Sequence, residues 1–161
     1  MPDMLVKLYN QKEETKLFSD LNEKGINLKK VLSPDRTKVL EFIKDNFNDN
    51  WVNECKAAFT NNPISCYVAV KDKKVIGFAC YDATAKNYFG PTGVLESERG
   101  KGIGKALLNK CLLSMWENGY GYAIIGWTND AIDFYKKTVQ ATVIENSSPG
   151  IYGRMIDIDE D

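Results

Sequence analysis

The sequence predicts a single domain of mixed α/β (α+β) class, on three observations. The chain has 161 residues, 43% of them apolar and 27% charged, a length and balance suited to one core that removes about two-thirds of the unfolded surface from water. Helical and strand periodicities follow one order, with two helices, three consecutive strands, then helices interleaved with strands. Between the third of those strands and the next helix stand glycines at positions 100, 102 and 104, a turn where sheet passes into helix. No repeat, low-complexity run or linker divides residues 1–161.

Residues 4–9 suit a short strand, and residues 17–21 a short helix ending near Gly25. Residues 26–32 alternate, with Ile26 and Leu28 on one side, as a half-buried strand does. Ser33-Pro34-Asp35 marks a helix start: serine can cap, proline suits the first helical position, and aspartate favours the positive helix end. Val39, Leu40, Phe42, Ile43 and Phe47 form the apolar stripe of that helix. Trp51, Cys55, Ala58 and Phe59 form the stripe of a second, which Asn62-Pro63 stops. Residues 64–70 and 75–81 read as strands joined by the hairpin turn Lys71-Asp72-Lys73-Lys74. A third strand covers residues 88–95, and Gly90-Pro91-Thr92-Gly93 predicts a bulge or kink in it. A long helix over residues 102–118 carries Ile103, Leu107, Leu108, Cys111, Leu112, Met115 and Trp116, and Gly119-Tyr120-Gly121 ends it. A buried strand at 122–127, a short helix at 129–137, and two terminal strands at 141–145 and 152–158 complete the expected order.

Composition removes several function classes. Lysine and arginine number 21, aspartate and glutamate 22, and the net charge of −1 leaves no electrostatic footprint for nucleic acid. The chain has no histidine. Ser-His, Cys-His and histidine-ligated metal chemistry are excluded, and proton transfer falls to Asp, Glu, Tyr, Lys, Cys or water. Cys55, Cys66, Cys80 and Cys111 are separated by 11, 14 and 31 residues, spacings that fit no zinc motif. They lie in apolar segments, where a free thiol acts as a small hydrophobe, and no metal is expected. The start lacks the basic residues of a secretory signal, and Lys7 interrupts its apolar run. No stretch approaches the roughly 20 apolar residues that span a bilayer. A cytoplasmic chain with no membrane partner is expected.

The segment Arg99-Gly100-Lys101-Gly102-Ile103-Gly104-Lys105 follows a strand and opens an amphipathic helix. Glycines allow a tight turn in which several N–H groups point into one concavity. The first N–H groups of a helix lack internal partners and sit at the positive end of its dipole. A phosphate or pyrophosphate suits such a place, and Arg99, Lys101 and Lys105 add charge. The P-loop pattern fails because Ala106 follows Gly104-Lys105 and Arg99 stands where its first glycine belongs. The dinucleotide pattern fails because Lys105 stands where its third glycine belongs. ATP and NAD chemistry are therefore disfavoured.

Residues 94–105, with Arg99, Gly102 and Gly104 in the order Arg-x-x-Gly-x-Gly and Ala106-Leu107-Leu108 after them, resemble the acyl-CoA pyrophosphate loop of the GNAT-family N-acetyltransferases. Asn129, Ala131, Phe134 and Tyr135 resemble that family's second signature, on a short helix after its fifth core strand. The resemblance runs from about residue 26 to the C-terminus, leaving residues 1–25 as an N-terminal extension able to add an edge strand, cover the substrate cleft or join a homodimer. The chain departs from the family at Gln140-Ala141, where a Gly-Phe pair is common, and in an Asn129-to-Ala131 spacing one residue short.

The resemblance implies a GNAT-like fold: a central mixed, mostly antiparallel sheet, splayed at the acyl-CoA site and flanked by helices. It further implies an N-acetyltransferase that moves an acetyl group from acetyl-CoA, as co-substrate, to a primary amine of a small molecule or peptide by direct attack. A non-catalytic acyl-CoA-binding sensor is the alternative. Val94, Leu95 and Glu96 would supply backbone contacts to the pantetheine arm and polarise the thioester carbonyl. Gly100, Lys101, Gly102, Ile103, Gly104 and Lys105, with Arg99, would hold the pyrophosphate, and Asn129, Phe134 and Tyr135 would complete the cofactor contacts. Tyr135 matches the family's proton donor to the leaving thiolate. An amine of pKa about 10.4 is neutral in only about one part in two thousand at pH 7, so a base is needed. Glu96, nearest in sequence to the inferred thioester, is chosen over Asp82 and Glu54. Trp51, Tyr81, Tyr88, Phe89, Trp127 and Tyr152 could line an acceptor pocket, although aromatics at such positions are more often plain core.

Overall fold

The tight turn at Asp72 and Lys73, both at positive φ (51° and 63°), makes a hairpin of β3 (Cys66–Lys71) and β4 (Lys74–Tyr81), the geometry of a two-residue type I′ connection. This hairpin lies inside a seven-stranded sheet in a computed structural model that describes residues 1–158. The other strands are β1 (Met4–Lys7), β2 (Ile26–Lys30), β5 (Tyr88–Val94), β6 (Tyr122–Ile125) and β7 (Thr142–Val143). Their spatial order is β2-β3-β4-β5-β6-β1-β7. Neighbouring strands run antiparallel except β5 and β6, which are parallel. The mixed, mostly antiparallel sheet flanked by helices is as expected.

Helices cover both faces. On one, α1 (Thr15–Glu23), α4 (Ile103–Glu117) and α5 (Ile132–Val139) close a core that contains Leu21, Ile103, Leu107, Leu112, Met115 and Val139. On the other, α2 (Arg36–Asn46) and α3 (Asp49–Ala58) close a second core around Val39, Ile43, Cys55, Cys66, Phe78 and Cys80. All four cysteines are free and buried.

Several expectations need correction. Ser33-Pro34-Asp35 forms a separate 3-10 turn, α2 begins at Arg36, and no side chain caps either start. The capped helix is α3, where Asn48 Oδ1 accepts the Trp51 N–H at 2.9 Å. Trp116, placed on the apolar stripe of α4, is 49% exposed. The buried strand at 122–127 ends at Ile125. The N-terminal strand is not an edge strand: β1 lies between β6 and β7, with Met4 opposite Ile125 and Lys7 opposite Tyr122. Because β1 takes that side of β6, a strand at 152–158 has no place there. Residues Gly150–Arg154 form a 3-10 turn instead, and the strand at 141–145 shrinks to Thr142–Val143. Among the described residues, no helix is long and apolar enough to cross a membrane.

Candidate active site

The parallel pair β5–β6 is hydrogen-bonded at only two positions, Tyr88 opposite Ile124 and Phe89 opposite Ile125. Beyond Phe89, β5 keeps its pairing to β4 through Thr92, Gly93 and Val94, while its other edge has no strand partner among the described residues. Two local causes drive the strands apart. In β5, Gly90 takes φ +116° and Pro91 has no N–H to offer, and the register against β4 shifts between Ala79 and Tyr81. After β6, the chain is pulled toward the N-terminus. The Trp127 N–H donates to Asp3 Oδ1 at 3.1 Å, and the Thr128 N–H and Oγ1 both donate to the Pro2 carbonyl, at 3.1 and 2.9 Å. Asp3, only 4% exposed, donates its own N–H to Ser147 Oγ at 2.8 Å. Burial raises the Asp3 pKa, against the lowering effect of the Trp127 N–H and the Tyr88 hydroxyl.

The gap opens into a cavity of about 1080 Å³. One wall is α3, with Trp51 and Glu54. The opposite wall comprises Phe89 to Thr92, the segment from Ile125 to Asn129, and Phe134 and Tyr135 of α5. The C-terminal 3-10 turn closes one side with Ile151 and Tyr152. Tyr152 stacks on Trp127, ring centroids 4.1 Å apart and planes at 22°. Its hydroxyl lies where any side chain on Gly126 would project.

Three groups in the cavity have shifted acidity. Tyr135 stands edge-on to Phe89 with centroids 6.3 Å apart, and burial pushes its phenol pKa up to about 12. It therefore keeps its proton throughout the neutral range. Glu54 is half-buried, its Oε1 accepting the Thr84 hydroxyl at 2.6 Å, and burial outweighs that bond to raise its pKa. The Tyr152 phenol is also raised, by burial first and then by the negative charges of Glu54 and Asp3.

At the far end of the unpaired β5 edge lies the glycine turn. The first bond inside α4 runs from the Ala106 N–H to the Gly102 carbonyl at 3.0 Å, so the N–H groups of Ile103, Gly104 and Lys105 have no partner within the helix. Gly102 has φ +86°, and a Cβ there would stand 2.9 Å from Leu17 Cδ1 of α1. Gly104 differs: a Cβ there would meet only Val94 Cγ2 at 3.9 Å. Nothing in the chain itself demands glycine at 104. Its bareness leaves open the concavity onto which the free N–H groups face. The loop's side-chain charges are engaged: Lys101 pairs with Glu98, Lys105 with Glu14 at 3.6 Å, and Arg99 Nε donates to the Val94 carbonyl at 3.3 Å. Lys101, beside the Glu98 carboxyl, holds its pKa below the usual range.

The residues singled out in the sequence fall into three groups. Gly100 to Lys105 gather at the start of α4 as expected. Phe134, Tyr135 and Asn129 line the cavity, with Asn129 at φ 39° opening a 3-10 turn. The segment from Val94 to Glu96 divides: Val94 ends β5, the Leu95 N–H is already donated to the Ile76 carbonyl at 2.9 Å, and Glu96 is exposed in the 3-10 turn Glu96–Glu98. Glu96 does not line the cavity; Glu54 does. The signal for Glu54 was in its helix. It lies three residues after Trp51 and four before Ala58, a carboxylate on the apolar stripe. The Asp3 anchor had no local signal, since its partners Trp127 and Ser147 are 124 and 144 residues away.

Comparison with known proteins bears on the same region. The family model described as the acetyltransferase (GNAT) domain matches residues 62–138, from the approach to β3 through α5. No curated protein matches the chain. Among solved structures, a glucosamine N-acetyltransferase region, GCN5-related, of a fungal multi-domain GH3 β-N-acetylglucosaminidase superposes with TM-score 0.72 at 16% identity, over 89% of this chain and 19% of that one. A GCN5-related N-acetyltransferase from Sphaerobacter thermophilus superposes with TM-score 0.66 at 18% identity, over 89% and 48%. A GNAT family acetyltransferase from Brucella melitensis, in complex with acetyl-CoA, gives 0.51 at 18%, over 68% and 80%. The chain thus spans less than half the length of the first two. At these identities the likeness is one of fold.

Proposed function

We propose that the chain is a GNAT acyltransferase, a reading supported by the family-model match over residues 62–138 and by the likeness of fold, and that it moves an acetyl group from acetyl-CoA to a primary amine of a small molecule or peptide by direct attack. The observation that carries this reading is the unpaired edge of β5 leading to the open start of α4. A pantetheine arm, with its two amides, can join such an edge as an added strand does, and a pyrophosphate suits the free N–H groups at Ile103, Gly104 and Lys105. The bare Gly104 leaves room for it.

Direct attack fits the lining. Among the described residues, no cysteine or lysine faces the cavity, and the chain has no histidine. Neither a covalent acyl-enzyme on a cysteine or lysine side chain nor a histidine-activated serine has its parts there. The amine nitrogen attacks the thioester carbonyl carbon, the carbon–sulfur bond breaks, and the departing sulfur takes the phenolic proton of Tyr135. An N–H of the unpaired β5 edge steadies the oxygen as charge gathers on it. Glu54 receives the proton that the amine gives up, directly or through water, and is the base in place of Glu96. Arg99 steadies the turn through the Val94 carbonyl, and Asn129 and Phe134 border the arm at the mouth.

The test is to incubate the chain with acetyl-CoA and a panel of primary amines comprising an amino sugar, a polyamine and a lysine peptide. Mass spectrometry should show one acetyl group added to an amine nitrogen for each CoA thiol released. Thiol release by hydrolysis alone, with every amine unmodified, would count against the reading.

A further inference from the structure

The core beneath α2 and α3 brings together three thiols that the sequence keeps apart. Cys55 comes from α3, Cys66 from β3 and Cys80 from β4, and their Sγ atoms all lie within 4.8 Å of one another. Each residue is 0% exposed. Cys66 and Cys80 stand opposite each other in the β3–β4 ladder. The Tyr81 N–H donates to the Ser65 carbonyl at 3.0 Å, so the neighbouring Ser65–Tyr81 pair carries the hydrogen bonding. Cys66 and Cys80 thus form the pair whose side chains approach most closely. Cys55 packs onto them from the helix above. None of the three lines the catalytic cavity.

We propose that Cys55, Cys66 and Cys80 form a three-coordinate thiolate site for a soft monovalent ion, copper(I). Metal–thiolate bonds of about 2.3 Å arranged in a plane set the sulfurs about 4.0 Å apart, a contraction of less than about 1 Å from the present separation. An all-sulfur donor set selects soft ions over magnesium, calcium or manganese. Structural zinc sites are almost always four-coordinate, and no fourth ligand stands with the three thiols among the described residues. The chain has no histidine, Cys111 belongs to the core on the opposite face of the sheet, and the three cysteines are closed to solvent. As each copper–sulfur bond forms, an S–H bond is lost and its proton released, with the ion remaining copper(I). Cys55 directly follows Glu54 in α3, so loading ties this wall of the cavity to the sheet.

The test is anaerobic titration of the reduced full chain with copper(I) against a chromophoric copper(I) chelator, with X-ray absorption on the loaded protein. The expected result is one ion per chain bound by three sulfurs at about 2.3 Å. Affinity should fall at least tenfold in each of Cys55→Ser, Cys66→Ser and Cys80→Ser, and remain unchanged in Cys111→Ser. The sulfur count on the unaltered protein needs no variant, so it stands even where a serine variant fails to fold. Failure to take copper from the chelator, a two-sulfur site, equal loss in Cys111→Ser, or preferential uptake of zinc(II) would overturn the proposal.

Discussion

Tyr135 and Glu54 are both held away from water, and burial has opposite uses in the two. Tyr135 is 7% exposed, and its phenol, pushed up to about 12, stays protonated throughout the neutral range. Tyr135→Phe removes one oxygen and leaves the contact with Phe89 in place. We expect kcat to fall by about 10²-fold with acetyl-CoA binding unchanged, measured by steady-state kinetics and calorimetry. In the proposed reaction Glu54 must be ionised to accept a proton, and burial raises its pKa. Activity should therefore fall with decreasing pH through a value above the ordinary glutamate value of 4.5, and Glu54→Gln should abolish that limb of the kcat/KM profile. Stability runs the other way. A carboxyl whose folded pKa exceeds its unfolded one contributes most below the unfolded value, and that contribution is lost as pH rises through the folded one. Glu54→Gln should consequently be no less stable than the parent at pH 7 in urea unfolding, though less active. Tyr135 was legible because a short signature surrounds it in sequence. Glu96 stands close in sequence to the glycine turn, but the 3-10 turn Glu96–Glu98 leaves it exposed to solvent. The Thr84 partner of Glu54 is 30 residues away and has no local mark.

At the scale of elements, the strand–turn–helix unit from β5 to α4 was the most legible part, because alternating glycines and an apolar helical stripe are both local patterns. Its two central glycines predict different outcomes. Gly102 sits at φ +86° against Leu17, so Gly102→Ala should cost about 1–2 kcal/mol of stability from the left-handed backbone alone, read from urea unfolding. Gly104 has ordinary space around it, so Gly104→Trp should fold and yet exclude acetyl-CoA. The C-terminal strand was illegible for the complementary reason. The apolar residues Ile151, Tyr152 and Met155 suit a strand locally, but β6 already has β1 on its other side. They line the cavity instead.

For the whole molecule, the first strand decides how the site is closed. Pairing of β1 with β6 joins residues more than a hundred positions apart, which no periodicity can reveal, whereas the sheet class follows from the run of local elements. Met4 is fully buried between β6 and β7, and Met4→Ala should cost about 2–5 kcal/mol in chemical denaturation. That cost would mark β1 as integral rather than appended. Pro2 and Asp3, just before β1, also hold Trp127 and Thr128, so the N-terminal extension shapes the gap in which acetyl-CoA is proposed to bind.

The most direct measurement is thermal unfolding of the parent chain and of Gly104→Trp with acetyl-CoA, free CoA, ATP or NAD. A ligand at about 100 times its dissociation constant adds about 2.7 kcal/mol, a rise of about 5–10 °C for a domain of this size. The parent should show that rise with acetyl-CoA and CoA and not with ATP or NAD, and Gly104→Trp should show none. No rise in the parent, or an equal rise in Gly104→Trp, would contradict binding of acetyl-CoA between β5 and the start of α4.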